Sequence, residues 1–452
     1  MTDLKALAAA ALDWIRRQDA GLEAEIYLSR GEERSLELRE GKLDGVQQSA
    51  SEGAGLRLLA GERMAFASAG GLSLEAAQAL YRRAAAQLPY VEPDKFRNLP
   101  APVAVAGDPA LAGSLWDETL FTRSWDEVLP RLRDMEAKAL SDKRIAVAVR
   151  SGYSESRGEV VVANTRGVMT WERGGSCSVG LSTLARGAAG GGEETQVGSA
   201  FQSARRADAL DFAKVGREAA QRTVALLGSR KLSGGRRAVL FDPWSAGELL
   251  ELVSSLLCAD QVQRGKSLLA GKLGKRVGSE LVTLIDDPRL KAGLASSLYD
   301  DEGVPTGRRV AVEKGVVRDF FYDSYTAARE GRPNNGCAGR GSFKGLPSPG
   351  SSNFFLQPAS MSREALISDT RDGILVMDIM GMHMADPISG EFSVGVSGVA
   401  VKDGKLAFAV KNAMIAGNLV ELLERVDAVA SDLTFHGSIG SPTFRVADVN
   451  VA

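Results

Sequence analysis

Glu25-Ile26-Tyr27-Leu28-Ser29-Arg30, Ser35-Leu36-Glu37-Leu38-Arg39 and Gly55-Leu56-Arg57-Leu58-Leu59 alternate apolar and polar side chains. That is the period of a strand with one buried face and one wet face. Glycines stand beside these runs at 31, 41, 53 and 61, where a backbone without Cβ can turn. The spacing predicts an antiparallel meander with turns at Gly31, Gly41, Gly53 and Gly61. On either side the period changes to that of a helix. Leu4, Leu7, Ala8, Ala11, Leu12 and Ile15 share one helical face over 4–17, and Ser73 is placed to cap a helix running to about residue 86.

The same order then returns. A helix over 124–140 precedes alternating stretches at 145–153, 159–164, 167–172 and 176–183, with Asn164-Thr165-Arg166-Gly167 as a hairpin turn. After the glycine cluster at 187–192 comes an amphipathic segment, 207–227, with Leu210, Phe212, Val215, Ala219, Val224 and Leu227 apolar. Gly228-Ser229-Arg230-Lys231-Leu232-Ser233-Gly234-Gly235 is rich in turn residues and charge and marks the expected domain boundary. Beyond it we expect a strand at 237–241, a helix at 244–257, Gly-punctuated strands at 308–312, 316–322, 373–378, 392–401 and 405–410, and a helix at 417–426. The expectation is an α+β protein of two domains: helix–meander–helix units in 1–228, and a large antiparallel or barrel-like sheet with helices in 229–452.

Composition limits the function classes. A chain of 452 residues exceeds one ordinary core, and 25% charged with 44% apolar residues describes a globular protein. Net charge is 55 − 57 = −2, so no global basic field exists to draw a phosphate backbone; nucleic acid is not an expected partner, although 230–237 and 264–276 are locally basic. Cys177, Cys258 and Cys337 are odd in number and far apart, which suits free thiols in a reducing compartment. Residues 1–20 lack a signal-peptide pattern, and no apolar run approaches membrane length, so a soluble, cytoplasmic protein is expected. Only two histidines, His383 and His436, are available for metal or base chemistry.

Four stretches could carry chemistry. In Trp244 to Asp260, helical projection puts Leu249, Val253, Leu256 and Leu257 on one face and Glu251, Ser254, Ser255 and Cys258 on the other. By itself this is an amphipathic core helix with a solvated Glu251. Asp300-Asp301-Glu302-Gly303-Val304-Pro305-Thr306 gathers three carboxylates, a set that can bind a cation, share a proton or simply build a turn. Tyr322 to Gly331 leads into Pro333-Asn334-Asn335-Gly336-Cys337, a polar loop suited either to the surface or to a groove. His383 beside Asp386 and Glu391 is the local carboxylate–histidine cluster that a base would need.

From 240 through 446 the chain resembles the TldD/PmbA family, and within it the PmbA (TldE) branch. The catalytic TldD branch carries His-Glu-x-x-x-His, a zinc-ligand signature, on the corresponding helix. Here Leu250 stands at the first His place, Glu251 matches the Glu, and Ser255 stands at the second His place. Leucine has no lone pair to donate and serine is a poor neutral ligand. The family's C-terminal ligand cysteine is also missing from 432–440. Further matches are the 300–306 run, Tyr325-Thr326-Ala327-Ala328-Arg329, Gly390-Glu391-Phe392-Ser393 with Gly398, and Ile415-Ala416-Gly417-Asn418-Leu419. The N-terminal half matches more loosely, through Glu25 and 55–67.

The resemblance implies no metal or other cofactor in this chain, with zinc in a TldD-like metallopeptidase partner. It implies a heterodimer, with a homodimer as the alternative, that degrades unfolded peptides or matures peptide precursors. The peptide would be held as an added β-strand inside a cavity. Asp301, Glu302, Tyr325, Arg329, Asn335 and His383 are the residues expected to meet it. Two other readings stand beside this one: an independent metal-free hydrolase using His383, and a regulatory or binding protein of the DNA gyrase modulator type.

Overall fold

In the computed structural model, which describes residues 2–104, 107–189 and 192–452, the alternating stretches are strands, and they run through two of the glycines expected to turn them. After helix α1 (Leu4–Gln18) come β1 (Glu23–Arg39), β2 (Lys42–Ala60) and β3 (Arg63–Gly70). Gly41 and Gly61 make the turns, at φ 75° and 55°. Gly31 and Gly53 instead lie in register inside strands, Gly31 opposite Ser51 and Gly53 opposite Ser29. The role of Gly53 is close approach, because a Cβ there would meet the Phe343 ring and the Ala69 carbonyl.

Helix α2 (Leu74–Gln87) starts where expected, the Ser73 hydroxyl oxygen accepting from the Ala76 amide at 3.1 Å. The short α3 (Pro109–Ser114) and then α4 (Trp125–Leu140) lead to β4 (Ile145–Asn164) and β5 (Met169–Ala189), each a single strand where the sequence predicts two. Of the glycine cluster, Gly190 and Gly191 lie outside the described residues. β6 (Gly192–Ala204) has no counterpart in the sequence reading, because the positions it turns toward the helices are as small as Gly198 and Ala200 and give almost no apolar signal. Within the expected 207–227 helix, α5 occupies Phe212–Ala225.

Both meanders join through β1 and β4, which pair antiparallel from Glu25 opposite Asn164 to Arg39 opposite Arg150. The result is one six-stranded half-barrel sheet, β3-β2-β1-β4-β5-β6. All four long helices lie on one face. α1 and α2 pack Leu4, Leu12, Ile15 and Leu80 on Ile26, Leu56 and Val161, while α4 and α5 pack Leu132, Met135, Val215 and Ala219 on Leu36, Tyr153 and Leu181.

Beyond residue 234 the chain builds β7 (Gly235–Phe241), α6 (Pro243–Leu256) and α7 (Ala259–Gln263). Next are β8 (Leu284–Asp286), β9 (Arg309–Glu313), β10 (Val316–Val317), α8 (Ser324–Glu330), β11 (Ala338–Gly339), β12 (Ser348–Pro349), β13 (Phe354–Leu356) and α9 (Arg363–Ser368). β14 (Asp372–Met380), β15 (Glu391–Lys402), β16 (Lys405–Asn418), α10 (Leu419–Glu424), β17 (Val426–Val429), β18 (Thr434–His436), β19 (Ile439–Ser441) and β20 (Phe444–Val451) complete it. The expected strand 316–322 shrinks to β10, because the Asn335 side chain takes over its backbone: Nδ2 donates to the Phe320 carbonyl at 2.8 Å and Oδ1 accepts from the Tyr322 amide at 3.0 Å.

Strands β16-β15-β14-β7-β20 close into a barrel through the β16–β20 pairing. Its core stacks Phe241 on Phe444, with ring centroids 5.1 Å apart. α6 sends Leu249, Leu250, Val253 and Leu256 into the same core. Among the described residues, no helix is long and apolar enough to cross a membrane.

Candidate functional site

Strand alternation decides what the uncovered face of the half-barrel carries. With Leu36, Tyr153, Cys177, Val179 and Leu181 turned toward the helices, their neighbours Ser35, Ser154, Ser178, Gly180 and Ser182 must fall on the other face. Register then aligns them across strands. Ser35 lies opposite Ser154, Ser154 opposite Ser178 and Ser178 opposite Ser203; Arg150 lies opposite Ser182 and Ser182 opposite Ser199. Hydroxyl oxygens of Ser154 and Ser178 are 2.8 Å apart, those of Ser156 and Ser176 2.9 Å, and those of Ser182 and Ser199 2.8 Å. Each pair uses one hydroxyl proton internally and leaves the other, with free lone pairs, for a ligand. Ser35, Glu37, Arg150, Gly152, Ser154, Ser178, Gly180, Ser182, Ser199 and Phe201 line a hollow of about 310 Å³ here. The sequence reading missed this wall. Its signal was serine or glycine at every second position, in Ser154-x-Ser156 and Ser176-x-Ser178-x-Gly180-x-Ser182.

The other end of that face is closed by the C-terminal half of the chain. Phe343 packs on Tyr27 and Val162, over Gly53 and Gly55, and a Cβ on Gly55 would stand 2.5 Å from the Phe343 carbonyl oxygen. Beside it lies a buried ionic cluster. Arg57 donates from Nε to Glu25 at 2.8 Å and pairs with Glu302 at 2.8 Å, and Arg340 pairs with Glu25. Glu302 accepts from the Ser324 amide at 2.7 Å, and Asp301 accepts from the Arg340 amide at 2.6 Å. Burial opposes the charge on Glu25, yet Arg340 and Arg57 hold its carboxyl below the usual range. Asp300 accepts three backbone amides, but burial and then the neighbouring Glu302 push its carboxyl well above that range.

Two of the residues expected to meet substrate, Asp301 and Glu302, therefore belong to the contact between the β1–β2 end of the sheet and the C-terminal loops. Asn335 is spent on the backbone of 320–322 and on Asp319, to which Nδ2 donates at 3.0 Å. Tyr325 and Arg329 share α8: the Tyr325 hydroxyl donates to Asp94 at 2.8 Å, Arg97 stacks on its ring at 4.1 Å, and Arg329 is exposed beside it. The side chain of His383 lies outside the described residues. Of the five described side chains, Glu302 is buried, Asp301, Tyr325 and Asn335 are half-buried and Arg329 is exposed, and the Ser324 amide links Glu302 to the start of α8.

Helix α6 begins with Asp242 as its cap, accepting from the Ser245 amide at 2.9 Å, and with Pro243 in its first turn. Leu250 is 1% exposed and part of the core. Glu251 and Ser255 face outward, and the Ser255 hydroxyl donates to the Leu252 carbonyl at 2.7 Å. No imidazole, thiolate or carboxylate stands at 250 or 255, so neither position offers a donor that zinc prefers. Cys258 is buried at its end, its thiol pushed up to about 12, chiefly by burial. Among the described residues no group of three His, Cys, Asp or Glu side chains is arranged to hold a metal ion.

One turn before Glu251 the structure places a carboxyl that the sequence reading overlooked. Glu248 is half-buried, and burial, then Asp378, Glu251 and Asp242, push it up to about 7, against the pull of Arg222. Arg222, from α5, pairs with Asp242 at 2.7 Å and covers the Trp244 ring at 4.9 Å. The start of α6 is therefore fastened to the helical layer of the half-barrel.

Comparison with known proteins agrees with this architecture along the whole chain. Residues 24–88 match the family model of PmbA/TldA metallopeptidase domain 1, residues 120–227 the central domain and residues 234–452 the C-terminal domain. A metalloprotease of Methanocaldococcus jannaschii is 27% identical over 430 residues, covering 93% of this chain and 92% of the relative. Metalloprotease PmbA of Escherichia coli O157:H7 is 27% identical over 434 residues, covering 95% and 92%. Among solved structures, a Thermotoga maritima protein named as a candidate modulator of a DNA gyrase superposes with TM-score 0.90 at 25% identity over 100% of each chain. TldE from Thermococcus kodakarensis shares the fold, with TM-score 0.88 at 22% identity over 98% of this chain and 100% of that one. Matched in three successive segments from residue 24 to residue 452, the chain belongs to the PmbA/TldD metallopeptidase family.

Proposed function

We propose that this protein is a PmbA/TldE-type subunit of a two-component metallopeptidase, presenting the wall that holds an unfolded peptide while a TldD-like partner supplies the zinc. The observation that carries this reading is the serine- and glycine-lined face of the half-barrel beside a helix with Leu250 and Ser255 at the ligand positions. Paired hydroxyls and bare backbone recognise the peptide main chain, which every substrate has, and demand little of its side chains. Glu251 has no metal-bound water to deprotonate on this helix. Three buried, unbridged thiols support a reducing, cytoplasmic setting.

Mixing the purified chain with its cognate TldD-like protein tests the proposal. Hydrolysis of an unfolded peptide should rise well above that of the partner alone. A partner whose activity is unchanged by this chain, at concentrations where any complex would form, contradicts it.

A further inference from the structure

β6 is an edge strand of the half-barrel, and its two faces differ sharply. Gly198 and Ala200 turn toward α5, whereas Val197, Ser199 and Phe201 turn to the open face. Phe201 is 36% exposed and Val197 58%, large apolar groups left uncovered next to an otherwise polar wall. The Phe201 ring is braced from behind. Trp244 meets it edge-on with centroids 5.0 Å apart, His436 lies 5.7 Å from it, and Trp244 and His436 are 4.9 Å apart. Burial holds the His436 imidazole down to about 4, with Arg222 and Lys214 acting in the same sense and Asp242 opposing, so the brace is uncharged at neutral pH.

In front of Phe201 is the 310 Å³ hollow with its paired hydroxyls. Its charged groups, Arg150 and Glu37, are already bonded to each other at 2.5 Å. A charged ligand group would find no free counter-ion there, whereas an apolar one would gain an aromatic surface.

We propose that this corner is an anchoring subsite for a large apolar side chain of an extended peptide, with Phe201 taking the side chain and the Ser154–Ser178 and Ser182–Ser199 hydroxyls bonding the flanking amides. The proposal rests on the peptide-holding reading above and adds a preference to it: flexible peptides carrying an aromatic or large aliphatic residue within a small, polar context.

The test uses the full chain and a fluorescently labelled Gly/Ser peptide with a central Phe, compared by anisotropy with the same peptide carrying Gly or Asp at the centre. The Phe peptide should bind about tenfold more tightly than the Gly peptide, the gain expected from partly burying one phenyl ring. Phe201→Ser should abolish that difference and Phe201→Leu should keep most of it, with thermal melts confirming that both variants fold. Equal affinity for the three peptides, no saturable binding of the Phe peptide, or a preference that survives Phe201→Ser overturns the subsite. Stimulation of the TldD-like partner without discrimination between Phe and Gly peptides rejects the subsite and keeps the subunit reading. A Phe preference in a chain that stimulates no partner keeps the subsite and rejects the subunit reading.

Discussion

At the scale of single residues, the decisive positions are those where a ligand or a base would have to be. Leu250 is a core residue of α6, so Leu250→Ala should cost about 2–5 kcal/mol of stability, read from the shift of a denaturant midpoint. A comparable loss is not expected for Ser255→Ala, whose side chain is exposed and bonded only to its own helix. His436 gives a pH signature. Its folded pKa of about 4 lies below the ordinary histidine value of about 6.5, so the neutral ring favours the folded state. That contribution is fully present above about pH 6.5 and is lost as pH falls toward 4, on the order of 3 kcal/mol. Melting temperature should therefore drop over this window in the parent protein, and His436→Phe should flatten the drop; an unchanged slope would remove His436 as its source. From the sequence, the resemblance singles out Leu250 and Ser255 as the places of the two zinc-motif histidines; the setting of His436 was not legible there, because Trp244, Arg222 and Phe201 reach it only in the fold. Glu248 was not legible either, because its raised pKa arises first from burial and then from Asp378 on another element, neither of which the helix sequence displays.

Elements show where alternation carries information and where it stops. The wet and buried faces of β1 and β5 follow directly from the alternating pattern, the cap at Ser73 starts α2 as expected, and α10 falls within the expected 417–426. Gly31 and Gly53 misled because glycine serves close approach as well as turns, and only the partner surface distinguishes the two. Gly55 makes the point testable. Gly55→Ala would push Cβ against the Phe343 carbonyl and should destabilise the protein by about 1–3 kcal/mol, measured by urea unfolding. β6 stayed hidden since its core-facing residues are too small to register as apolar. In sequence the carboxyls of 300–302 read as a cation, proton-sharing or turn site, with Asp301 and Glu302 expected to meet substrate; Arg57, which pairs with Glu302, is more than 240 residues away in sequence and meets it only in the folded chain. Arg340 has no exposed side-chain surface, so Arg340→Met should cost about 3–5 kcal/mol by leaving buried Glu25 without one of its two cations and the Asp301 carbonyl without its guanidinium donor. A loss below about 1 kcal/mol would show that the cluster does not hold the sheet to the C-terminal loops.

The whole molecule joins a half-barrel with one face of serine and glycine, a closed barrel, and helix α6, which carries Leu250 and Ser255. The half-barrel face is blocked at one end by Phe343 and Arg340 and open at the other, beside Phe201, Trp244 and the start of α6. A peptide laid along the open end would run toward α6, and the proposed function asks a TldD-like partner to bring its zinc there. The measurement that tests this division of labour most directly is the zinc content of the purified chain, alone and in complex with its TldD-like partner. If the proposed division of labour holds, the isolated chain carries no stoichiometric zinc and the pair about one equivalent, retained when Glu251→Gln is introduced here and lost when the partner's own histidine ligands are replaced. One tightly bound equivalent of zinc in the isolated chain would contradict it.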